Sequence, residues 1–87
     1  MLVRPRIDAD LEAVYLDGCN KIFKIEHNLI FEATKVVFTE DPNFVDIYLP
    51  DGGVLVWVNA NVFSFFGAIE PYVKIEDKQE KDNEFNN

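Results

Sequence analysis

The stretch that decides the fold is residues 52–69, GGVLVWVNANVFSFFGAI, which contains no charged residue although 28% of the chain is charged. An uncharged run of this length has to be buried or to meet a partner. Its first part alternates Val54, Val56 and Val58 with Leu55 and Trp57, so neither parity is polar. Apolar side chains on both faces indicate a central strand, or a strand that closes a small barrel.

The second part of the run predicts a turn followed by a short helix. Residues 59–61 are typical of a turn, and Asn61 is placed to cap one helical turn over VFSFF, which Gly67 would end. The polar residues Asn59, Asn61 and Ser64 interrupt the run near its middle, and its β-branched residues alternate. Both features argue against a membrane-spanning helix.

Upstream and downstream of this run, a period of two predicts further strands. The predicted strands are KIFKIE (21–26), LIFEATKVVFTE (29–40) with a bend or bulge near residues 33–35, FVDIYL (44–49) and PYVKIE (71–76). Turn-forming residues lie between the first three of these strands, and between the third strand and the uncharged run. His27-Asn28 tolerates positive φ, EDPN (40–43) contains proline, and PDGG (50–53) is typical of a hairpin.

The N-terminal segment IDADLEAVYLDG (7–18) fits two interpretations. Leu11, Val14 and Tyr15 have helical spacing, Asp8 suits an N-cap, and Gly18 suits a helix end, which favours a two-turn helix. The same segment also alternates apolar residues, which permits a strand, so helix and strand both stay open for residues 9–16. Before it, Arg4 and Arg6 flank Pro5 in an extended arm, which suits docking onto an acidic surface but is more typical of a frayed terminus.

These elements predict one small, mainly β domain over residues 1–75, with a short N-terminal helix. The spacing of strands and turns favours an antiparallel sheet of five or six strands, curled into a barrel or a compact sandwich. From Glu76 onwards, residues 76–87 (EDKQEKDNEFNN) are polar and charged, which predicts a disordered tail.

The charge of the chain restricts its partners. Sixteen acids against eight bases give a net charge of −8. Such a surface repels phosphate and anionic lipid, so direct binding to nucleic acid or membrane is disfavoured, and a protein with a basic surface fits better. The single cysteine, Cys19, has no partner for an internal disulfide, which indicates a reducing compartment such as the cytoplasm.

Catalytic and metal-binding patterns are missing from the sequence. His27 and Cys19 are the only histidine and cysteine, whereas a zinc site needs three or four ligands at suitable spacing. Ser64 lies in an aromatic cluster without a nucleophile elbow. We therefore predict a protein that is not an enzyme and uses no cofactor and no metal.

Surplus aromatic surface and acidity predict a binding protein. The aromatic cluster is first of all expected to form core. A small barrel cannot bury both faces of every strand, however, so part of the cluster should form an exposed apolar patch beside carboxylates. The predicted partner-binding residues are Asp8, Asp10, Glu12, Glu40, Asp41, Asp46, Trp57, Phe63 and Phe66. This profile looks like the small accessory proteins of bacteriophages, some of which inhibit host enzymes in the host cytoplasm by imitating the charge of DNA. The alternative is a structural β-module that self-assembles into a homo-oligomer through its edge strands and aromatic patch.

Overall fold

The computed structural model describes residues 1–74 and contains eight β-strands in two antiparallel sheets. The strands are β1 (Leu2–Pro5), β2 (Ala9–Val14), β3 (Lys21–Ile25), β4 (Phe31–Glu32), β5 (Lys35–Phe38), β6 (Phe44–Tyr48), β7 (Val54–Asn59) and β8 (Phe63–Phe66). A single 3-10 turn, Ala60–Val62, joins β7 to β8. The predicted tail lies outside the described residues.

The two sheets have the strand orders β4-β1-β8 and β3-β2-β7-β6-β5. The prediction of a mainly β, antiparallel chain is confirmed, but within residues 1–74 the strands do not close into a barrel. As predicted, β7 is an inner strand of the larger sheet. The core gathers the inward side chains of both sheets; its fully buried members include Val3, Val36, Val45, Ile47 and Leu55.

The N-terminal arm is an interior strand, and its interpretation as a frayed terminus was wrong. β1 lies between β4 and β8, where Val3 pairs with Phe31 on one side and with Phe65 on the other. The amino group of Met1 donates a hydrogen bond to the carbonyl oxygen of Ala33 at 2.7 Å. Pairing on both edges fixes the first residues of the chain to the smaller sheet.

The favoured N-terminal helix was also wrong, because residues 9–14 form strand β2, which pairs with β3 from Ala9 to Ala13. The residues that suggested helix ends form turns instead. Asp8 accepts a hydrogen bond from the backbone N–H of His27 at 2.6 Å. Gly18 has φ 81° and donates its N–H to Tyr15 in the turn that leads to β3. Aspartate and glycine are common in turns as well as at helix ends, so their presence did not distinguish the two.

Two predictions about the C-terminal part need correction. Only Val62 of VFSFF lies in the 3-10 turn, and residues 63–66 form strand β8. The cap of that turn is Asn59, whose side chain accepts a hydrogen bond from the N–H of Asn61. PYVKIE forms no strand over residues 71–74, and its last two residues lie outside the described part. The residue just before this segment, Glu70, forms an isolated parallel β-bridge with Val37.

The predicted long strand over residues 29–40 is two strands that belong to different sheets. β4 joins the smaller sheet and β5 joins the larger one, with the break at Ala33 and Thr34. Ala33 is buried, and Thr34 donates its N–H to the carbonyl oxygen of Tyr48 at 2.7 Å. The bend predicted near residues 33–35 is confirmed, and it is the corner where the chain passes from one sheet to the other.

The predicted hairpin turn between β6 and β7 is confirmed. Gly52 has φ 94°, which favours glycine, and its N–H donates to Leu49. Asp51 accepts hydrogen bonds from the N–H of Gly53 at 3.0 Å and from the hydroxyl of Tyr15 at 2.8 Å. These bonds, that of Gly53 most of all, lower the pKa of Asp51, and the bond to Asp51 is the main cause that raises the pKa of Tyr15.

We expect Tyr15→Phe to move the pKa of Asp51 towards its ordinary value. The shift should be partial, because the Gly53 N–H is the larger cause and stays in place. Because folding lowers the pKa of Asp51, its carboxylate stabilises the fold at pH values above the ordinary pKa of an aspartate. That stabilisation is lost as the pH falls through the lowered pKa. The measurement is an NMR titration of the Asp51 carboxyl carbon in both proteins. An unchanged Asp51 pKa in the variant would contradict the hydrogen bond.

Candidate functional site

The larger sheet presents one face to the core and the opposite face to solvent. Val14, Val54 and Tyr48 are neighbours in one row across three strands, and their side chains point outward. In the next row, Leu55 and Ile47 are neighbours and fully buried. Because side chains alternate along a strand, the outer face collects every second residue of each strand.

A β-bulge interrupts this alternation in β7. The register between β6 and β7 shifts by one residue, so that Val56 and Trp57 both oppose Asp46. The backbone N–H of Trp57 donates to the Oδ1 atom of Asp46 at 2.8 Å. The bulge leaves both apolar side chains half exposed, Val56 at 50% and Trp57 at 46%. A strand expected to bury both of its faces therefore buries only one at this point.

The backbone of Trp57 is strained. Its φ is 55°, in the left-handed region, which is an outlier for a bulky side chain. Its ring stacks on Phe44, with centroids 5.4 Å apart and ring planes 16° from parallel. Such strain persists only where surrounding contacts hold it, and it occurs preferentially at functional sites. The hydrogen bond to Asp46 and the stack on Phe44 are the contacts that hold the indole in this exposed position.

Two pockets flank Trp57, which with Val56 lines both of them. The first, of about 440 Å³, lies between β2 and β7, has Leu11, Ile25 and Phe63 among its apolar lining, and includes the carboxylate residue Glu12. The second, of about 320 Å³, lies towards β5 and β6 and is lined by Glu40, Asp46, Tyr48 and Tyr72, among others. We call the outer surface formed by Phe44, Asp46, Val56 and Trp57, with its two flanking pockets, the Trp57 face.

The structure brings three of the predicted acids to the Trp57 face. Glu12 lines the first pocket, and Glu40 and Asp46 line the second. Asp10 stands two residues before Glu12 on the same outward parity of β2, opposite Lys24. Carboxylates therefore lie on both sides of the exposed indole.

The other two predicted acids hold turns. The Asp8 carboxylate accepts the His27 N–H, and the Asp41 carboxylate accepts the N–H of Asn43 at 2.9 Å. Neither lines the pockets beside Trp57. Their hydrogen bonds give them a local structural role in the connections between strands.

The two predicted phenylalanines differ in position: Phe63 lines the first pocket from the core, and Phe66 lies on the other sheet. Phe63 is only 4% exposed and packs in the core, where it forms part of the lining of the first pocket. Phe66 is 53% exposed, but it belongs to the outer face of the smaller sheet, beside Leu2, with the Arg4 guanidinium 5.8 Å from its ring centroid. The predicted single aromatic patch is therefore divided between two sheets.

Several residues of the Trp57 face escaped the sequence analysis. Leu11 and Ile25 line the first pocket, and Tyr72 and Val73 line the second. The alternation of β2 contained a signal for Leu11, which the helical interpretation hid. No pattern in the sequence indicates that residues 72–73 lie beside Trp57, because that contact follows from the bridge at Glu70.

Within the part of the chain that the structure describes, no three His, Cys, Asp or Glu side chains lie close enough to hold a metal ion. No helix among residues 1–74 is long and apolar enough to cross a membrane. Both His27 and Cys19 are exposed.

No protein-family model, no curated protein and no solved structure matches this chain. The function therefore has to be inferred from the geometry and charge of its own residues.

Proposed function

We propose that this chain is a non-enzymatic binding protein whose interface is the Trp57 face and whose partner is a protein with a basic surface. One observation carries the proposal: a strained tryptophan is held half exposed between two pockets. Tryptophan is enriched among the residues that dominate binding energy, and such anchors fit pockets on the partner. An indole already fixed by Phe44 and Asp46 loses little conformational freedom on binding, which favours affinity.

The charges around the Trp57 face indicate the sign of the partner. Glu12 on one side of Trp57 and Glu40 and Asp46 on the other belong to a chain of net charge −8. Complementary basic groups on the partner would speed association and select against acidic surfaces. By occupying a basic groove in this way, the protein would inhibit or regulate its partner as a mimic of nucleic-acid charge, as some small phage accessory proteins do. The exposed, unpaired Cys19 fits action in a reducing compartment such as the cytoplasm.

Self-assembly into a homo-oligomer is the second candidate, and a different surface favours it. Leu2 and Phe66 are neighbours on the outer face of the smaller sheet, and each is about half exposed. β3 forms one edge of the larger sheet, and Ile22 on it is 64% exposed. Apolar neighbours and an open edge are features through which copies of a β-protein associate. The Leu2–Phe66 surface is separate from the Trp57 face, whereas β3 adjoins that face through Ile25. The Leu2–Phe66 surface therefore lets the two candidates be tested independently.

Salt separates the two candidates. We expect the dissociation constant of the complex with a partner captured on the wild-type protein to rise steeply between about 0.05 and 0.5 M salt, because exposed ion pairs are screened within a Debye length of about 3–10 Å. Titrations followed by the fluorescence of Trp57, the only tryptophan, measure it. Glu12→Gln should slow association, whereas Glu32→Gln, which removes the same charge from the smaller sheet, should not.

Self-assembly predicts a different result in the same buffers. Light scattering would give a mass above 10.0 kDa at micromolar concentration, and high salt would preserve or strengthen the assembly, because apolar burial is not screened. A monomer whose partner binds equally well in low and high salt, and equally well with Glu12→Gln, would contradict both candidates.

A further inference from the structure

Two adjacent inner strands of the larger sheet, β2 and β7, separate part-way along their length. β2 pairs with β3 from Ala9 to Ala13, but with β7 only at Ala13 and Val14. Beyond that point on β7 comes the bulge at Val56 and Trp57, which redirects the strand. The first pocket, about 440 Å³, lies in the resulting gap between β2 and β7.

The gap exposes a strand edge inside the sheet. In an antiparallel ladder, successive residues direct their N–H and C=O groups to opposite sides. Within residues 9–11 of β2, the N–H and C=O groups of alternate residues therefore point towards β7. No strand of the described chain pairs with them there. Backbone donors and acceptors in a partly enclosed site require partners, either water or a bound ligand. An extended peptide segment supplies them, in the mode by which partners add a strand to an open sheet edge.

The two sides of the gap determine what such a segment carries. Its inner side is apolar, with Leu11, Ile25 and Phe63 in the lining. Its outer side faces the acidic parity of β2, where Asp10 and Glu12 are exposed. Because side chains alternate along an extended segment, one parity would meet the apolar lining and the other the carboxylates. Apolar and basic residues in alternation satisfy both.

We propose that this gap binds an extended segment of the partner, with alternating apolar and basic residues, which adds as a strand to the β7-facing edge of β2. The inference rests on the proposed function, since it specifies how the partner engages the Trp57 face. It also assigns a second role to the bulge. Besides exposing Trp57, the bulge separates β7 from β2 and so leaves room for the added strand.

The test uses the full chain and a synthetic probe, the capped peptide Lys-Val-Lys-Val-Lys-Val-Lys. We expect saturable binding that changes the fluorescence of Trp57, shifts the NMR amide signals of residues 9–11 and slows their hydrogen exchange. Two matched peptides carry N-methyl groups on alternate amides, one on each parity, which removes the backbone donors from one edge at a time. Methylation of the edge that faces β2 should weaken binding about 5–100-fold, since each lost hydrogen bond contributes about 0.5–1.5 kcal/mol.

The remaining controls change the charge of the probe and the position of the substituted glutamate. Replacing the lysines of the probe with glutamates should abolish binding, and Glu12→Gln should weaken it several-fold while Glu32→Gln leaves it unchanged. The inference is overturned if the unmodified probe does not bind, if both methylated peptides bind as tightly as the parent, or if the shifted amides lie outside β2. If the captured partner still depends on Trp57 in any of these cases, the proposed function stands and only strand addition fails. Partner binding that ignores Trp57→Ala refutes the proposed function itself.

Discussion

Leu55→Ala is expected to lower the free energy of unfolding by about 2–5 kcal/mol, because it removes a buried side chain and leaves a cavity. Leu55 is 0% exposed and stands on β7 between Ala13 on β2 and Ile47 on β6. A small domain has a total stability of only about 5–15 kcal/mol, so the loss is a large share. Urea unfolding followed by circular dichroism measures it as a lower midpoint with an unchanged slope.

Val56→Ala is the matched control for this variant. Val56 is the next residue of the same strand, but the bulge leaves it half exposed. Its truncation should change the free energy of unfolding by less than about 1.5 kcal/mol, the lower end of the value of a fully buried aliphatic side chain. Equal losses from Leu55→Ala and Val56→Ala would show that β7 does not present one face to the core and the other to solvent.

The strands near the uncharged run could be predicted because their signal is local. β3, β6 and β7 each alternate in sequence, and the turns between them contain residues that suit positive φ or lack a backbone donor. In β6, Val45 and Ile47 are buried, as the period of two predicts. Short-range alternation is sufficient evidence for these strands, each of which pairs with a strand next to it along the chain.

β2 was misjudged because its local signals have two physical explanations. Asp8 and Gly18 are suitable helix ends, yet Asp8 accepts a hydrogen bond from His27, and Gly18 turns the chain into β3. Pairing with β3 and burial of Ala13 decide in favour of the strand, and neither is visible in residues 7–18 alone. Tertiary pairing overrides weak local propensity in such segments.

The smaller sheet could not be predicted from local patterns, because its strands come from distant parts of the chain. β1 pairs with β8, which begins about sixty residues later, and Pro5 of the N-terminal arm pairs with Phe63. This pairing uses the residues that had suggested a frayed arm and a helical turn. Because β1, β4 and β8 pair with one another, they form a separate sheet and do not continue the larger one into a closed barrel.

The candidate site was predicted in part. Composition indicates that part of the aromatic cluster is exposed, because a chain this small has more apolar surface than it can bury, but composition does not single out Trp57. The bulge does not follow from composition, because it depends on Asp46 accepting the Trp57 N–H across the sheet. Nor does the position of Phe66 on a separate sheet, since that depends on its pairing with Leu2.

Trp57→Ala is expected to weaken partner binding by at least about 30-fold, the effect of losing a tryptophan that contributes about 2 kcal/mol or more at an interface. The same variant should lower the free energy of unfolding by about 1–3 kcal/mol, from the lost stack on Phe44 and the lost burial of a half-exposed ring. This is less than the loss of about 3–5 kcal/mol for a fully buried aromatic side chain. A large effect on binding with only a moderate effect on stability distinguishes an anchor from a core residue. Fluorescence anisotropy with a labelled partner and urea unfolding measure the two effects.

Trp57→Gly tests the strained backbone in the same experiment. Glycine avoids the cost of about 1–2 kcal/mol that a side chain incurs at positive φ. Its more flexible unfolded state costs about 0.5–1 kcal/mol of stability in return. We therefore expect the glycine variant to be at least as stable as the alanine variant, and equally deficient in binding. Phe66→Ala, which truncates an equally exposed aromatic on the other sheet, should leave binding intact. If the Phe66 variant loses the partner and both Trp57 variants keep it, the interface lies on the smaller sheet, because only that face would then contribute an aromatic anchor.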